Sequence, residues 1–219
     1  LTLPLLHLVI QALVLGDLLQ VLLLRVRPYE KEPGASLELY RQFDGLCREW
    51  LRTDGKKQRY RDLIDRIVTD FDDLELVQSE RKPRVGIVGE ILVKFQPDAN
   101  NHLIDLIESE GCEAVMPGLI DFFQYCFFNN SWRHRNLGAS AFAAFVTRRA
   151  IQTIEAYRSF MVRRLRACRG KFAIPEHIRK LAARAQQILS LGNDSGEGWF
   201  LTAEMLELIE SGVPNIVCV

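Results

Sequence analysis

Two glutamates beside glycines are the residues whose chemistry the sequence brings forward first. Glu90 follows Gly89, and Glu197 lies between Gly196 and Gly198. Two carboxyl groups can transfer protons to and from a bound molecule if they lie close together. As isolated loop residues they are more typical of solvent-facing or helix-capping side chains, and sequence spacing does not give the distance between them.

Glu197 belongs to a glycine-rich loop over residues 192–199, which precedes a predicted helix over residues 202–210. Free backbone N–H groups at such a helix start can hold an anion or a cofactor sulfide. The alternative is a tight connection in which the glycines adopt positive φ angles. No lysine follows the glycines, so the loop lacks the pattern of a phosphate-binding P-loop. The pattern leaves the first two interpretations open.

Five cysteines are scattered along the chain without a C-x-x-C pair: Cys47, Cys112, Cys126, Cys168 and Cys218. An odd, dispersed set favours a reducing compartment, so we expect a cytoplasmic protein. Cys126 and Cys218 are the candidate thiolate ligands of an iron–sulfur cluster. Their spacing alone, however, favours small buried hydrophobic residues.

A basic series lies on and just after a long predicted helix over residues 139–168: Arg148, Arg149, Arg158, Arg163, Arg164, Arg166, Arg169 and Lys171. It could bind the phosphates of a nucleotide-like group such as coenzyme A. The commoner alternative is the solvated face of an apolar helix. The series lacks the regular aromatic interleaving that would support single-stranded nucleic acid, and 28 Lys and Arg balance 28 Asp and Glu overall. The charge pattern therefore gives no case for nucleic acid or an anionic membrane.

The elements that position the two glutamates are predicted to form a parallel sheet. The run over residues 85–89 is apolar on both faces, which is typical of a strand covered on both sides. A helix over residues 100–110 and a strand over residues 113–116 follow, and residues 216–219 predict a third strand. Ligands of such sheets meet the loops at the carboxyl ends of the strands. We therefore expect a cleft at one rim, lined by Glu90, Asn100, Asn101, Gly196, Glu197, Gly198 and Trp199.

The sequence predicts two parts, a helical N-terminal segment over residues 1–80 and a parallel α/β module over residues 81–219. The second is expected to be Rossmann-like or flavodoxin-like and truncated at its C-terminus, because the chain ends in a strand without a polar tail. The apolar run over residues 3–26 predicts either a membrane span or a buried helix. Asp17 near its middle would cost roughly 2.5–3.5 kcal/mol in a membrane, which favours the buried helix.

Four stretches together resemble one family: RPYE followed by Gly34, then VGIVGEILVKFQPDANNHLI, PGLIDFFQYC and SLGNDSGEGWFLTAEMLELIESGVPNIVC. They are similar to the C-terminal, dehydratase-subunit-like region of the large CoA-substrate-specific enzyme activase-related proteins. Those proteins are kin of the 2-hydroxyacyl-CoA dehydratase and benzoyl-CoA reductase systems. The resemblance extends from about Gly16 to Val219.

The resemblance implies an iron–sulfur module for low-potential electron transfer in anaerobic metabolism, driven by ATP hydrolysis in a separate module. The implied cofactor is a 4Fe-4S cluster, and the implied partners are the ATPase (activase) module, other parts of the same or a partner polypeptide, and an acyl-CoA. Cys126 and Cys218 match positions where relatives often have cysteine, but two thiolates fall short of four ligands. Relatives continue past the position of Val219 into a segment with another cysteine. The alternative is a non-catalytic interaction module of a larger polypeptide, and whether the chain itself is an enzyme is left open.

Overall fold

The computed structural model of the chain describes residues 2–56 and 58–219, which form two compact units. We call residues 1–81 with 156–174 the helical unit, and residues 82–155 with 175–219 the sheet unit. The division after residue 81 lies next to the predicted one. Residues 156–174, however, belong to the helical unit, whereas the sequence predicts them in the α/β module.

The helical unit begins with α1 (Leu3–Val26), α2 (Ala35–Arg52) and α3 (Tyr60–Asp72). α1 packs against both other helices and buries an apolar face that includes Val14, Leu18 and Leu22. Within the part of the chain that the structure describes, one helix, Leu3–Tyr29, is long and apolar enough to cross a membrane. Since 39% of its most apolar stretch is buried, packing in the unit covers only part of that apolar surface.

The sheet unit contains three parallel strands in the order β2-β1-β3. They are β1 (Arg84–Val88), β2 (Glu113–Val115) and β3 (Asn215–Cys218), as the apolar runs predict. Gly86 pairs with Val115 on one side of β1, and Val88 pairs with Cys218 on the other. The protein is therefore a mixed α/β protein with a small parallel sheet flanked by helices.

Helices precede and follow β2 in the chain and connect it to the other two strands. Between β1 and β2 lie α4 (Ile91–Phe95) and α5 (Leu103–Ser109). Between β2 and β3 lie α6 (Leu119–Leu137), α7 (Ala141–Ala167), α8 (Ile178–Ala185) and α9 (Gly198–Glu210). The first part of α7 belongs to the sheet unit and the rest to the helical unit.

The later part of α7 belongs to the helical unit because its apolar residues pack there. Tyr157 meets Tyr60 edge to face, with ring centroids 5.6 Å apart, and its hydroxyl lies 3.1 Å from His7 Nδ1. Met161 and Leu165 on the same helix are also buried. The sequence shows the helical period of the apolar residues on α7, but it does not show the unit against which these residues pack.

Gly89 ends β1 where only a glycine fits. Its φ is +147°, and a Cβ at this position would lie 1.9 Å from the carbonyl oxygen of Val219. Glu90 N–H donates to that same oxygen at 2.9 Å, and Val219 N–H donates to Val88 O at 3.0 Å. The close approach extends the pairing of β1 and β3 to the carboxyl rim of the sheet.

Candidate functional site

The two glycine-flanked glutamates lie at the same rim of the sheet. Glu197 Oε1 accepts a hydrogen bond from the backbone N–H of Ile91 at 3.2 Å. Ile91 directly follows Glu90, which is bonded to the end of β3. The turn that leaves β1 and the loop that precedes α9 are therefore in direct contact, as the strand topology leads one to expect.

Glu90 caps the short helix α4. Its Oε2 accepts from the backbone N–H groups of Leu92 at 2.8 Å and Val93 at 3.0 Å. Such caps satisfy N–H groups that have no partner within the helix. The side chain is exposed but engaged, which corresponds to the capping alternative of the sequence analysis.

Glu197 is a buried carboxyl with one unused oxygen. The backbone of Glu197 has a positive φ of +62°, and the residue is 9% exposed. Among the described residues, its Oε2 has no hydrogen-bond partner. Burial raises the pKa of Glu197, and the negative charge of Glu90 raises it further. This carboxyl can therefore hold a proton at a higher pH than an ordinary glutamate.

A buried ion pair between Lys94 on α4 and Glu204 on α9 lies next to Glu197. Lys94 Nζ and Glu204 Oε1 are 2.7 Å apart, and each side chain is 1% exposed. Burial raises the pKa of Glu204 to about 7; Lys94 opposes the shift, whereas Asp121 and Glu197 add to it. One ammonium thus faces several buried carboxyl groups, so one of these groups can take up or release a proton near neutral pH.

Sequence reasoning missed this ion pair although a signal was present. Lys94 is the one charged residue in the helix ILVKF, and Glu204 stands within the apolar run WFLTAEML. A charge on an apolar helix face is rarely buried unless it is paired. Lys94 and Glu204 have opposite charges and lie in the same predicted module, so each is a candidate partner for the other.

The glycine-rich loop is a packed connection rather than an open cradle. Arg133 Nε donates to Asp194 Oδ2 at 2.6 Å, and the hydroxyl of Tyr125 donates to the carbonyl of Asp194 at 2.5 Å. Gly198 is required because a Cβ there would lie 2.5 Å from the carbonyl oxygen of Asn193. Gly196 lies exposed at a φ of +58°. The loop follows the tight-connection alternative.

Trp199 is a core residue and does not line an open cleft, which corrects the prediction. Its side chain is fully buried against Tyr125, Phe128 and Phe200. Its Nε1 donates to Asn129 Oδ1 at 2.9 Å. An apolar indole is more stable in this aromatic cluster than at a solvated rim.

The two predicted asparagines differ in their surroundings. Asn100 ties α4 to α5, because its Nδ2 donates to Val93 O at 2.9 Å and its Oδ1 accepts from Leu103 N–H at 3.1 Å. Asn101 is exposed with a φ of +56°. Asn100 therefore stabilises the loop between α4 and α5.

The two candidate cluster ligands differ in exposure. Cys218 is exposed at the carboxyl end of β3, whereas Cys126 on α6 is half-buried. Burial raises the pKa of the Cys126 thiol, and Glu197 raises it further, so this thiol is held in its protonated form. Among the described residues, no group of three His, Cys, Asp or Glu side chains could hold a metal ion. These residues alone do not make up the four-ligand set of a 4Fe-4S cluster.

The basic series on and just after α7 is divided between the two units. Arg148 and Arg149 belong to the sheet unit, and the others belong to the helical unit. In the latter, Arg158 is buried, Arg164 lies 2.7 Å from Asp65, and Lys171 pairs with Asp72.

The comparisons with known proteins give no relative. The chain matches no family model, no curated protein and no solved structure.

Proposed function

We propose that the sheet unit is the start of a doubly wound, flavodoxin-like module whose ligand site lies at the carboxyl ends of β1 and β3. The strand order β2-β1-β3 matches the first three strands of that fold, in which the strand order reverses between β1 and β3. Ligands of open α/β sheets bind in the crevice outside this point. Glu90 and Cys218 both lie at that position.

In this proposal the chain is the dehydratase-like module of an acyl-CoA dehydratase activase-related protein, working in the cytoplasm. It takes part in low-potential electron transfer to an acyl-CoA, driven by ATP hydrolysis in a separate module. The observation that carries the proposal is the hydrogen bond between Glu197 and the N–H of Ile91, because it joins the two most specific motifs at one rim. The buried Lys94–Glu204 pair supplies a group that exchanges a proton near neutral pH.

Iron binding is the part of this proposal that needs thiolate ligands in addition to Cys126 and Cys218. A bound 4Fe-4S cluster would supply a single low-potential electron. Cys218 would serve as one ligand because it is exposed at the rim, and the half-buried Cys126 on α6 is the second candidate. We assign no cluster-dependent step to the residues of this chain.

Iron and sulfide analysis of the full-length polypeptide, purified without oxygen, tests the proposal. We expect stoichiometric iron and sulfide with visible absorbance, and loss of at least half of both in Cys218→Ser. Cys112→Ser is the matched control, since Cys112 precedes the amino end of β2 and lies away from the rim. An iron-free full-length protein, or equal loss in both variants, would contradict the proposal.

The second candidate function is a non-catalytic interaction module of a larger polypeptide. It is favoured by large apolar side chains that remain exposed at the start of α7 and just before it. Phe142 is 76% exposed and Leu137 is 69% exposed, which is a large apolar area to leave in water. An iron-free full-length protein that retains its fold would favour this candidate.

A further inference from the structure

A cleft of about 780 Å³ lies in the sheet unit, among the end of α6, the first part of α7 and α8. We call it the basic cleft, because five basic side chains line it and no Asp or Glu does: His134, Arg135, Arg148, His177 and Arg179. Its volume is in the range of small-molecule sites, about 300–1,000 Å³. Of the candidate residues of the sequence analysis, the basic series contributes Arg148 to this cleft, whereas the predicted rim residues and the two candidate cluster ligands do not line it.

The remaining wall of the basic cleft is largely apolar. Ile151, Ile178 and Leu191 form a buried floor, and Phe128 and Trp132 contribute aromatic surface. Trp132 is fixed against the loop backbone, since a Cβ on Gly192 would lie 2.8 Å from its ring. The cleft therefore offers an apolar and aromatic wall against which a flat apolar group can pack.

The arginines of the cleft lack carboxylate partners. Within the described residues, Arg148 and Arg179 form no ion pair, and Arg135 Nε donates only to the carbonyl of Ser131, at 3.3 Å. Each guanidinium keeps its charge at neutral pH. An isolated exposed arginine is usually just solvated, but three that line one concave, acid-free cavity create a positive potential that attracts an anion.

We propose that the basic cleft binds an organic phosphate with a flat apolar portion, of the nucleoside phosphate class. The arginines hold the phosphate oxygens, because the guanidinium fork matches their geometry. The aromatic and aliphatic wall covers the apolar portion. The phosphate and the apolar portion of such a ligand each meet complementary side chains, and the volume of the cleft is sufficient for both.

Calorimetric titration of the full chain with ADP tests the proposal, with adenosine and inorganic pyrophosphate as comparison probes. We expect saturable ADP binding that weakens as salt is raised, and weaker binding of each comparison probe. The double variant Arg148→Gln/Arg179→Gln should bind ADP at least about tenfold more weakly, as expected for lost charge-assisted hydrogen bonds.

The matched control is Arg149→Gln/Lys180→Gln, which removes the neighbouring exposed charges that do not line the cleft. It should change ADP affinity less than about twofold, since neither side chain lines the cleft and neither can donate directly to the phosphate oxygens. Absence of saturable ADP binding at low salt would overturn the proposal. Equal weakening by the two double variants, or pyrophosphate binding as tight as ADP binding, would overturn it as well.

Discussion

Lys94→Met should destabilise the sheet unit by about 3–5 kcal/mol, because it leaves Glu204 buried without its cationic partner. The loss should be larger at about pH 8 than at about pH 5. The pKa of Glu204 is already raised to about 7, and removal of the ammonium raises it further. The stability that its bound proton gives is present at acid pH and is lost as the pH rises through the folded-state pKa. Urea denaturation followed by circular dichroism at both pH values measures the effect.

Two further variants separate the ion pair from a general effect of lost charge. Lys94→Met/Glu204→Leu should recover most of the stability, because apolar residues of similar size often replace a buried ion pair at little cost. Lys180→Met, on the exposed face of α8, should stay within about 0.5 kcal/mol of the parent. A loss below about 1 kcal/mol in Lys94→Met, as for an exposed pair, would contradict the buried geometry.

Trp199→Ala should cost about 3–5 kcal/mol, because it removes a fully buried indole from the aromatic cluster. The ring of Tyr125 lies 5.0 Å from that of Trp199, centroid to centroid, and loses its edge-to-face partner. Asn129 also loses the donor to its buried amide oxygen. The urea midpoint of the variant measures this loss.

Trp199→Phe distinguishes packing from hydrogen bonding at the same position. It keeps an aromatic ring but not the N–H, so the loss should be about 1–3 kcal/mol, the cost of one buried polar group without a partner. If Trp199→Ala and Trp199→Phe are equally stable, or if Trp199→Ala loses less than about 1 kcal/mol, the indole is not the core residue that we describe.

The sheet could be predicted because its strands are short apolar runs that end at glycine or proline. The run before Gly89 is largely buried, whereas the run after Pro214 is partly exposed. Their parallel pairing follows from the helices between them. The short helix α4 could not be predicted, because its five residues are too few to show a helical pattern in the sequence. It depends on the carboxylate of Glu90, which bonds two of its N–H groups.

The candidate site was only partly visible in the sequence. Topology alone brings strand ends to one rim, so the meeting of the two glutamate loops could be expected. Which side chains face solvent there depends on packing: Trp199 enters the core, and Glu197 takes the place beside Ile91. The Lys94–Glu204 pair joins residues that are 110 positions apart. The sequence marks each as a charge in an apolar helix that needs a partner, but it does not show that the two meet.

The backbone amide of Ile91 gives the most direct test of the meeting of the two motifs. Its proton and nitrogen NMR shifts should titrate with the carboxyl of Glu197, because that carboxyl accepts its hydrogen bond. The midpoint should lie above the ordinary glutamate value of 4.5, since burial raises the pKa of Glu197. The titration should vanish in Glu197→Gln and persist in Glu204→Gln. An Ile91 amide that does not titrate, or that titrates unchanged in Glu197→Gln, would contradict the shared rim.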